Sequence, residues 1–475
     1  MARALVWFRR DLRLADNPAL QAALAAGYAP VPVYLHAPDE EGEWAPGAAT
    51  RVWLARSLAA LDADLRARGS RLLIRCGPSL AALSLLIEET QAEAVFWNRL
   101  YEPAVIARDA AVKSALRQRG LRVESHNAAL LVEPWTVATG SGDPYRVFTP
   151  FWRNAGRVLE SLPLSQPAPS RLPAMSFAGM VPDELGLGPA PCEPDWDAGF
   201  WEHWQPGEAG AWELLEAFLD SAIRGYDQQR NLPDRAGTSR LSPHLHFGEI
   251  APWRIVQAVQ GSGLGQAHAA DLKQYFAELG WREFAHHLLY HFPHTPQADF
   301  NPRFAGFPWC DADVDVLHAW QCGRTGVPLV DAGMRELWQT GWMHNRVRMV
   351  VASFLCKNLR IHWRHGARWF WDTLVDADLA NNSLGWQWSA GTGADAAPYF
   401  RVFNPATQAT RFDPQGRYLR RWLPELAALP DRALAAPWEH TELLRRLAPE
   451  YPQQPMVNLR ESREAALDAY AASRA

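Results

Sequence analysis

The sequence has 475 residues, of which 48% are hydrophobic and 21% charged, and its formal net charge is −5. This composition excludes a disordered chain and argues against a protein that coats nucleic acid indiscriminately, although a local basic groove is compatible with it. The length exceeds what one hydrophobic core usually covers, so two domains are expected.

Features of membrane, secreted and metal-binding proteins are missing from the sequence. It has no run of about 18 apolar residues, and it begins without a basic leader or a small-residue cleavage site. The cysteines are odd in number and lack C-x-x-C spacing, which argues against zinc or iron–sulfur ligation. We therefore expect a cytoplasmic, monomeric protein without a metal, with reduced core thiols at Cys76, Cys192, Cys310, Cys322 and Cys356.

The first 130 residues alternate short apolar runs with amphipathic stretches. The runs typical of strands are residues 4–8, 31–36, 71–75, 94–97 and 122–125. Between them, stretches such as 48–68 and 103–119 repeat apolar residues at three- and four-residue spacing, as helices do. The alternation predicts an α/β domain over residues 1–130, with a doubly wound five-stranded parallel sheet that binds ligands at the carboxyl ends of its strands.

The rest of the chain has a different pattern. Residues 161–206 are rich in Pro, Gly and Ala without a sustained period, which predicts an interdomain linker, whose bounds we set at 131–206. After residue 207 the strand signal disappears, and helical periodicity marks residues 212–224, 267–287, 333–358 and 367–374. Residues 207–475 are therefore predicted to form an all-α domain.

Two patterns invite functional interpretations that their context does not support. Residues 391–396, GTGADA, fit the dinucleotide fingerprint, but they follow a helical stretch where the fingerprint requires a strand. His286, His287, His291 and His294 cluster on one predicted helix and its end, where His287 and His291 could face one metal. No acidic or cysteine third ligand has typical spacing, so core or groove histidines are the simpler interpretation.

Several polar clusters could bind an anion or a cofactor. Residues 237–242, GTSRLS, combine hydroxyls with a cation ahead of Pro243, as an anion site or a simple helix cap would. Asp376 and Asp378 could be paired catalytic carboxylates or salt-bridge partners of an arginine such as Arg348. The 23 tryptophans suggest stacking, electron transfer or both.

Runs distributed along essentially the whole chain resemble the photolyase/cryptochrome family. They are VWFRRDLRLADNPAL at 6–20, WREF at 281–284, GWMHNRVRM at 341–349, DADL at 376–379 and GWQWSAGTGADAAPYFRVFNP at 385–405. The resemblance implies an α/β antenna domain and an all-α FAD-binding domain, with a second chromophore of folate or deazaflavin type. It also implies a carbon–carbon lyase that repairs cyclobutane pyrimidine dimers in DNA by light-driven electron transfer from reduced FAD to a flipped-out lesion.

The resemblance assigns flavin contacts to particular residues of this sequence. Asn382 is similar to the residue that faces flavin N5, and Arg348 with Asp376 is similar to the ion pair beside it. The implied FAD-binding residues are Tyr226, Thr238, Ser239, Arg240, Leu241, Ser242, Arg282, Asn345, Arg348, Asp376, Asp378 and Asn382.

The same resemblance implies a lesion pocket and an electron pathway. Trp281 and Trp388 are similar to the walls of the pocket, and Glu278 to the carboxylic group that hydrogen-bonds the lesion. The other implied DNA contacts are Arg230, Tyr275, Asn345, Arg346, Met349 and Arg401. The implied chain of indoles that carries an electron from the surface to the flavin is Trp309, Trp363 and Trp386.

Some positions depart from the family pattern. Tyr275 stands where a Trp is usual, and Trp309 lies eleven residues before Trp320 where the matched spacing is ten. Ala104 and Val105 replace the Asn-Glu pair that contacts folate in some members, so the identity of the antenna chromophore stays open.

A cryptochrome-like blue-light photoreceptor without repair activity is the main alternative. Asn382 opposes it, because plant photoreceptors tend to have Asp there, and so does the chain's end soon after the helical domain. Repair of (6–4) photoproducts is opposed by Asn345 and Met349, where such enzymes have histidine. A redox flavoprotein unrelated to DNA is a further alternative.

Overall fold

Five parallel strands form a single sheet in the computed structural model, which describes residues 1–189, 195–395 and 400–473. The strands are β1 (Arg3–Phe8), β2 (Ala29–His36), β3 (Leu73–Cys76), β4 (Ala92–Asn98) and β5 (Arg122–His126). Their order is β3-β2-β1-β4-β5, so the chain moves outward from the central β1 on both sides. The predicted doubly wound five-stranded sheet is confirmed.

The central strand β1 is buried along residues 4–8, on both faces of the sheet. Leu5 and Trp7 belong to a core cluster that also contains Val33 and Val95 from the neighbouring strands. Parallel strands that are covered on both faces have continuous apolar sequences, whereas strands with one exposed face alternate apolar and polar residues. The unbroken run at residues 4–8 therefore reflects this burial.

Helices connect the strands and continue after them. In the part of the chain that carries the sheet they are α1 (Pro18–Ala25), α2 (Ala48–Ala67), α3 (Ser79–Thr90) and α4 (Pro103–Gln118). Asn17 caps α1, because its side chain accepts a hydrogen bond from the backbone N–H of Leu20. The predicted linker contains a helix of its own, α5 (Phe148–Ala155), which its Pro- and Gly-rich composition does not indicate.

The described residues after 207 contain helices and no strand, as predicted. The helices are α6 (Glu208–Ala217), α7 (Tyr226–Gln229), α8 (Ser242–His246), α9 (Pro252–Gly261), α10 (Ala269–His291), α11 (Val314–Gln321), α12 (Pro328–Thr340), α13 (Asn345–Ser353), α14 (Trp363–Thr373), α15 (Leu379–Ala390), α16 (Pro405–Phe412), α17 (Arg417–Trp422), α18 (Asp431–Leu434), α19 (Thr441–Leu447) and α20 (Leu459–Ala472). The helix predicted over residues 333–358 is divided in two, because Gly341 ends α12 in a left-handed conformation with φ 67°.

The described chain divides into two compact units. The first unit comprises Met1–Ser221, Arg240–Pro293 and Val375–Asp378, and the second comprises Ala222–Ser239, His294–Leu374 and Leu379–Ala475. Compactness does not test the functional boundaries at residues 130 and 206, so the division into 1–130, 131–206 and 207–475 stays a prediction.

Three expectations from composition can be compared with the described residues. None of their helices is long and apolar enough to cross a membrane, and no three of their His, Cys, Asp or Glu side chains are grouped as a metal site would require. Cys356 is buried, but Cys76 and Cys322 are exposed, so the prediction of core thiols is wrong for these two. Cys192 lies outside the described residues.

Candidate functional site

The predicted phosphate-binding turn has an unusual backbone in the first unit. Arg240 adopts a left-handed conformation with φ 53°, which a residue with a side chain rarely adopts and which often marks functional sites. Its guanidinium lies 4.2 Å from the ring centroid of Trp204. Directly after it, Ser242 donates a hydrogen bond of 2.6 Å to the carboxylate of Asp376. The structure thus joins two of the predicted flavin contacts, Ser242 and Asp376.

The segment that follows this turn is bound to the loop after β1. Leu12 donates its N–H to the carbonyl of Phe247 at 3.0 Å, and Arg13 donates to the carbonyl of Gly248 at 2.7 Å. A Cβ on Gly248 would lie 2.3 Å from the carbonyl oxygen of Arg10, so this close approach requires glycine. The loop after β1 therefore positions the turn from residues far away in the sequence.

Asp378 lies in a buried network of charged groups in the first unit. His286 approaches its carboxylate to 3.4 Å and His246 to 3.8 Å. Burial alone would raise the pKa of Asp378, but the two histidines hold it well below its ordinary value. The pKa of His286 is raised against the effect of burial by Asp378. Asp378 is therefore a fixed buried anion, and sequence reasoning missed both of its histidine partners.

Helix α10 carries the predicted lesion contacts of the first unit. Glu278 is half-buried and accepts a hydrogen bond of 2.7 Å from the side-chain amide of Gln274. Trp281 is half-buried, and Arg282 donates to the carbonyl of Ala129 at 2.7 Å. Tyr275 is buried, with its ring 4.7 Å from that of Phe218. Glu278 and Trp281 thus lie about one helical turn apart with accessible side chains, whereas Tyr275 faces the core.

The histidines at the end of α10 have structural partners. The backbone N–H of Tyr145 donates to Nε2 of His287 at 3.0 Å, and Nδ1 of His287 lies 3.2 Å from the carbonyl of Pro134. His291 also contacts that carbonyl, at 3.1 Å. Burial, with a contribution from His291, lowers the pKa of His287 to about 4. This geometry supports the interpretation of these side chains as core or groove histidines.

His287 should make the protein less stable in mild acid. As the pH falls below about 6.5, the unfolded chain binds a proton at this histidine that the folded chain refuses until about pH 4. We expect His287 to account for about 2 kcal/mol of lost unfolding free energy between pH 7.5 and pH 5. Urea unfolding of wild type and His287→Gln at both pH values measures this difference. If His287→Gln loses as much unfolding free energy between the two pH values as wild type does, this expectation is wrong.

The second unit gathers cations at the start of α13. Arg346 hydrogen-bonds the side chain of Asn231 through Nη2, and Arg348 donates through Nε to the carbonyl of Met343 at 2.7 Å. Burial, with Arg346, Arg230 and Arg348, lowers the pKa of His344 to about 3. Asn345 is exposed on the first turn of α13, and Met349 is half-buried one turn later. Three predicted ligand-binding arginines therefore share one neighbourhood.

An unsatisfied nitrogen lies among these cations. His344 uses Nδ1 to accept the backbone N–H of Arg346, but its buried Nε2 has no hydrogen-bond partner among the described residues. Other buried polar atoms of the described residues, such as Nε1 of Trp320, share this property, and either a water molecule or a ligand could pair with them. A polar, anionic ligand such as a flavin nucleotide fits this surplus of positive charge and the free nitrogen.

Two further predicted contacts of the second unit lie near the ends of α15. Asn382 is half-buried and donates to the carbonyl of Ala367 at 2.9 Å, and Trp388 is half-buried one helical turn and a half later. Arg401 has an exposed side chain, and its carbonyl accepts a hydrogen bond of 2.5 Å from the buried ammonium of Lys357. Residues 396–399 of the resembling run, and with them Ala396 of the GTGADA motif, lie outside the described residues.

Aromatic rings connect much of the predicted electron pathway in the second unit. Trp386 is 2% exposed and its ring lies 4.9 Å from Phe370 and 6.2 Å from Trp320. Half-buried Trp309 contacts His362 at 5.0 Å, and His362 contacts the fully buried Trp363 at 5.5 Å. Trp309 is thus the partly exposed end of a series that includes His362 and Trp363, whereas Trp386 has its ring contacts with Phe370 and Trp320. The electron pathway stays a prediction.

Sequence reasoning missed a second pair of indoles. Trp338, which is 52% exposed, stacks on Trp369 with centroids 6.1 Å apart and an interplanar angle of 6°. Trp369 precedes Phe370, which contacts Trp386. The large number of tryptophans in the sequence suggested stacking or electron transfer, but it did not indicate that Trp338 and Trp369 are in contact.

Known proteins match both parts of this architecture. A family model described as DNA photolyase matches residues 4–173, and one described as the FAD binding domain of DNA photolyase matches residues 275–472. The chain belongs to the photolyase/cryptochrome family. Within this family it is similar over its whole length to bacterial deoxyribodipyrimidine photo-lyases.

Two sequence relatives and one solved structure give the extent of this similarity. The deoxyribodipyrimidine photo-lyase of Agrobacterium fabrum is 45% identical over 99% of this chain and 98% of its own length. The crystal structure of a bacterial class III photolyase from Agrobacterium tumefaciens has a TM-score of 0.93 at 44% identity, covering 100% of this chain and 98% of that one. Cryptochrome-2 of Arabidopsis thaliana is 41% identical over 92% of this chain, which spans 73% of that protein.

Proposed function

We propose that this protein is a DNA repair enzyme that splits cyclobutane pyrimidine dimers with light. The observation that carries the proposal is the 45% identity, over 99% of the chain, to a deoxyribodipyrimidine photo-lyase. When bound in its reduced form and excited by light, FAD would supply the electron that opens the cyclobutane ring and would recover it once the ring has split. The chain's own residues bind the cofactor and the lesion, exclude water and stabilise charge.

Several of the residues predicted to bind FAD belong to the first unit. In the first unit, the left-handed turn at Arg240 and the bonded pair of Ser242 and Asp376 offer cation, hydroxyl and carboxylate groups to phosphates and ribityl hydroxyls. Leu241 completes this turn, and Arg282 lies on α10. Tyr226, Thr238 and Ser239 are also predicted to bind FAD and belong to the second unit.

In the second unit, Asn345, Arg348 and Asn382 offer donors to the isoalloxazine ring. The three arginines around His344 favour a negatively charged ligand, because opposite charge at short range stabilises the ionised form. We assign the flavin N5 contact to Asn382. Asp376 and Asp378, which belong to the first unit, are proposed as further polar contacts of FAD. Asp378 would keep its negative charge through the neutral pH range, since His286 and His246 lower its pKa.

The lesion would be bound by side chains that combine apolar surface with a few hydrogen-bonding groups. Trp281 and Trp388 offer indole faces for stacking, and Glu278 offers a carboxyl group for the edge of the flipped-out bases. Asn345 and Met349 add an amide and a thioether. Tyr275 supports this surface from behind, because its side chain is buried against Phe218.

The DNA backbone would be held by Arg230, Arg346 and Arg401. Each arginine that neutralises a phosphate releases counterions, so its replacement by glutamine should reduce the slope of log K against log salt concentration by about 0.9. Affinity measured between low and moderate salt in the dark gives this slope. Arg463→Gln, which neutralises an exposed arginine of α20, is the matched control. Three unaltered slopes would show that the groove lies elsewhere.

A second chromophore would bind at the carboxyl edge of the sheet. In doubly wound sheets ligands bind between two neighbouring strands from which the chain continues to opposite sides of the sheet. Here these strands are β1, which is followed by β2 on one side, and β4, which is followed by β5 on the other. Arg9 and Arg10 follow β1 and form ion pairs with Asp109 at 2.6 Å and Glu102 at 2.5 Å. An absorption spectrum of the purified protein should show flavin bands and a second near-ultraviolet or blue band that identifies a folate or a deazaflavin.

Repair itself is the test of the proposed function. Protein loaded with reduced FAD should restore thymine-dimer DNA to monomers under blue or near-ultraviolet light and do nothing in the dark. If illuminated, fully reduced, FAD-loaded protein leaves the dimers intact, the photoreceptor alternative replaces repair. Monomeric state and cytoplasmic location stay predictions, testable by light scattering and cell fractionation.

A further inference from the structure

A phenylalanine from the predicted linker covers one face of a predicted lesion contact. The rings of Phe148 and Trp281 lie parallel, with centroids 3.9 Å apart and an interplanar angle of 9°. Phe284 meets Trp281 edge-on at 5.9 Å and Phe148 at 6.0 Å. Both stacked rings are half-buried. In the described part of the chain, Phe148 and Phe284 are the aromatic rings that contact Trp281.

The sequence explains why these two rings meet. Helix α5 places Phe148, Phe151 and Trp152 on one face, because residues three and four apart lie on the same side of a helix. This face packs on α10, where a Cβ at Gly280 would lie 2.5 Å from the indole of Trp152. The glycine therefore lets the two helices approach closely enough for Phe148 to reach Trp281.

The backbone that enters α5 is also fixed. The N–H of Tyr145 is bonded to His287, and the side-chain amide of Asn154 donates to the hydroxyl of Tyr145 at 3.3 Å. These bonds hold the chain three residues before Phe148. The Phe148 ring is thus mounted on a rigid support.

Packing alone does not account for Phe148. Phe151 already fills the space between α5 and α10, since it is fully buried and its ring lies 5.2 Å from Phe284. Phe148 is half-exposed at the first position of the helix and contacts the indole that is predicted to stack on DNA. A binding surface whose rotamers are fixed in advance loses less side-chain entropy when its ligand arrives.

We propose that Phe148 is a positioning residue for lesion recognition, which holds the Trp281 indole in the orientation that stacks on a flipped-out pyrimidine dimer. Phe148 thereby raises the preference of the protein for damaged over undamaged DNA. This inference rests on the proposed function, in which Trp281 forms a wall of the lesion pocket. Phe148 acts through Trp281 and need not touch the lesion.

The test compares dissociation constants for a duplex with one thymine dimer and for the same duplex without it, in the dark. Phe148→Ala should raise the dissociation constant for the dimer duplex about three- to tenfold, which corresponds to the usual free energy of an aromatic pair. The dissociation constant for undamaged DNA should stay unchanged. Phe148→Leu keeps most of the apolar volume, so it should fold and still lose discrimination. Phe148→Tyr keeps the ring and should bind as wild type does.

A double-mutant cycle separates positioning from a general structural role. In the Trp281→Ala background, Phe148→Ala should cause no further loss, because its effect passes through the missing indole. Phe177→Ala is the matched control, since Phe177 is also half-buried but packs on the sheet core. Unchanged discrimination in both Phe148→Ala and Phe148→Leu overturns the inference, and so do additive losses in the double variant. A wild-type protein that does not prefer the dimer duplex overturns the proposed function as well.

Discussion

Replacing Trp386 by phenylalanine should abolish light-driven reduction of the oxidised flavin while leaving repair by chemically reduced protein intact. Trp386 is almost fully buried and belongs to the predicted electron pathway. A phenyl ring fills most of the same space but is far harder to oxidise, so the supply of electrons stops while the lesion pocket is untouched. Bleaching of the flavin absorption bands under blue light, with an external reductant, measures this supply.

Trp320→Phe is the matched control for this experiment. Trp320 is fully buried and contacts Trp386 at 6.2 Å, but it is not part of the predicted pathway, so its replacement should leave bleaching close to normal. Trp309→Phe should slow bleaching strongly. Normal bleaching in Trp309→Phe, with loss in Trp386→Phe, would show that another exit serves the pathway, and the stacked pair of Trp338 and Trp369 is then the next to test.

Glu278 and Trp281 should differ in which step of repair they support. Trp281→Ala should weaken binding of dimer-containing DNA by about 1–3 kcal/mol, the usual value of a base–aromatic stack. Glu278→Ala should instead lower the repair yield per absorbed photon several-fold and change affinity little. A hydrogen bond to a charged group is worth about 1.5–3 kcal/mol. Because the lesion becomes charged only after the electron arrives, this bond stabilises the step after binding more than binding itself.

Two measurements separate these effects. Dissociation constants in the dark report binding, and repair yields at saturating protein report the steps that follow it. Glu278→Gln is the conservative control, because it keeps a hydrogen-bonding side chain of nearly the same shape. If Glu278→Ala and Trp281→Ala both act on affinity alone, the proposed division of roles is wrong.

Local sequence patterns predicted which segments form strands and helices better than they predicted where each strand or helix begins and ends. The five strands and the helical second half followed from periodicity, because burial of one face or both leaves a direct trace in the sequence. The interruption at Gly341 and the helix α5 were not predicted. A glycine can either sit inside a helix or end it, and α5 is short and lies in a Pro-rich region.

The candidate site was predictable as a set of residues but not as a set of contacts. The family resemblance pointed to Asp378 and Trp281, yet it did not indicate His246, His286 or Phe148 as their neighbours. Phe148 and Trp281 are more than a hundred residues apart, and local periodicity carries no information on such pairs. The three aromatic residues at helical spacing in α5 were the one visible signal.

The bonds between the loop after β1 and the segment after Arg240 bear on the modularity of the protein. Leu12 and Arg13 are bonded to Phe247 and Gly248, and Arg10 is paired with Glu102. A helical fragment starting at residue 207 would lack the groups that shape its own cofactor-binding turn. The α/β part of this chain is therefore not an independent module, and exchanging it between relatives would have to preserve these hydrogen bonds.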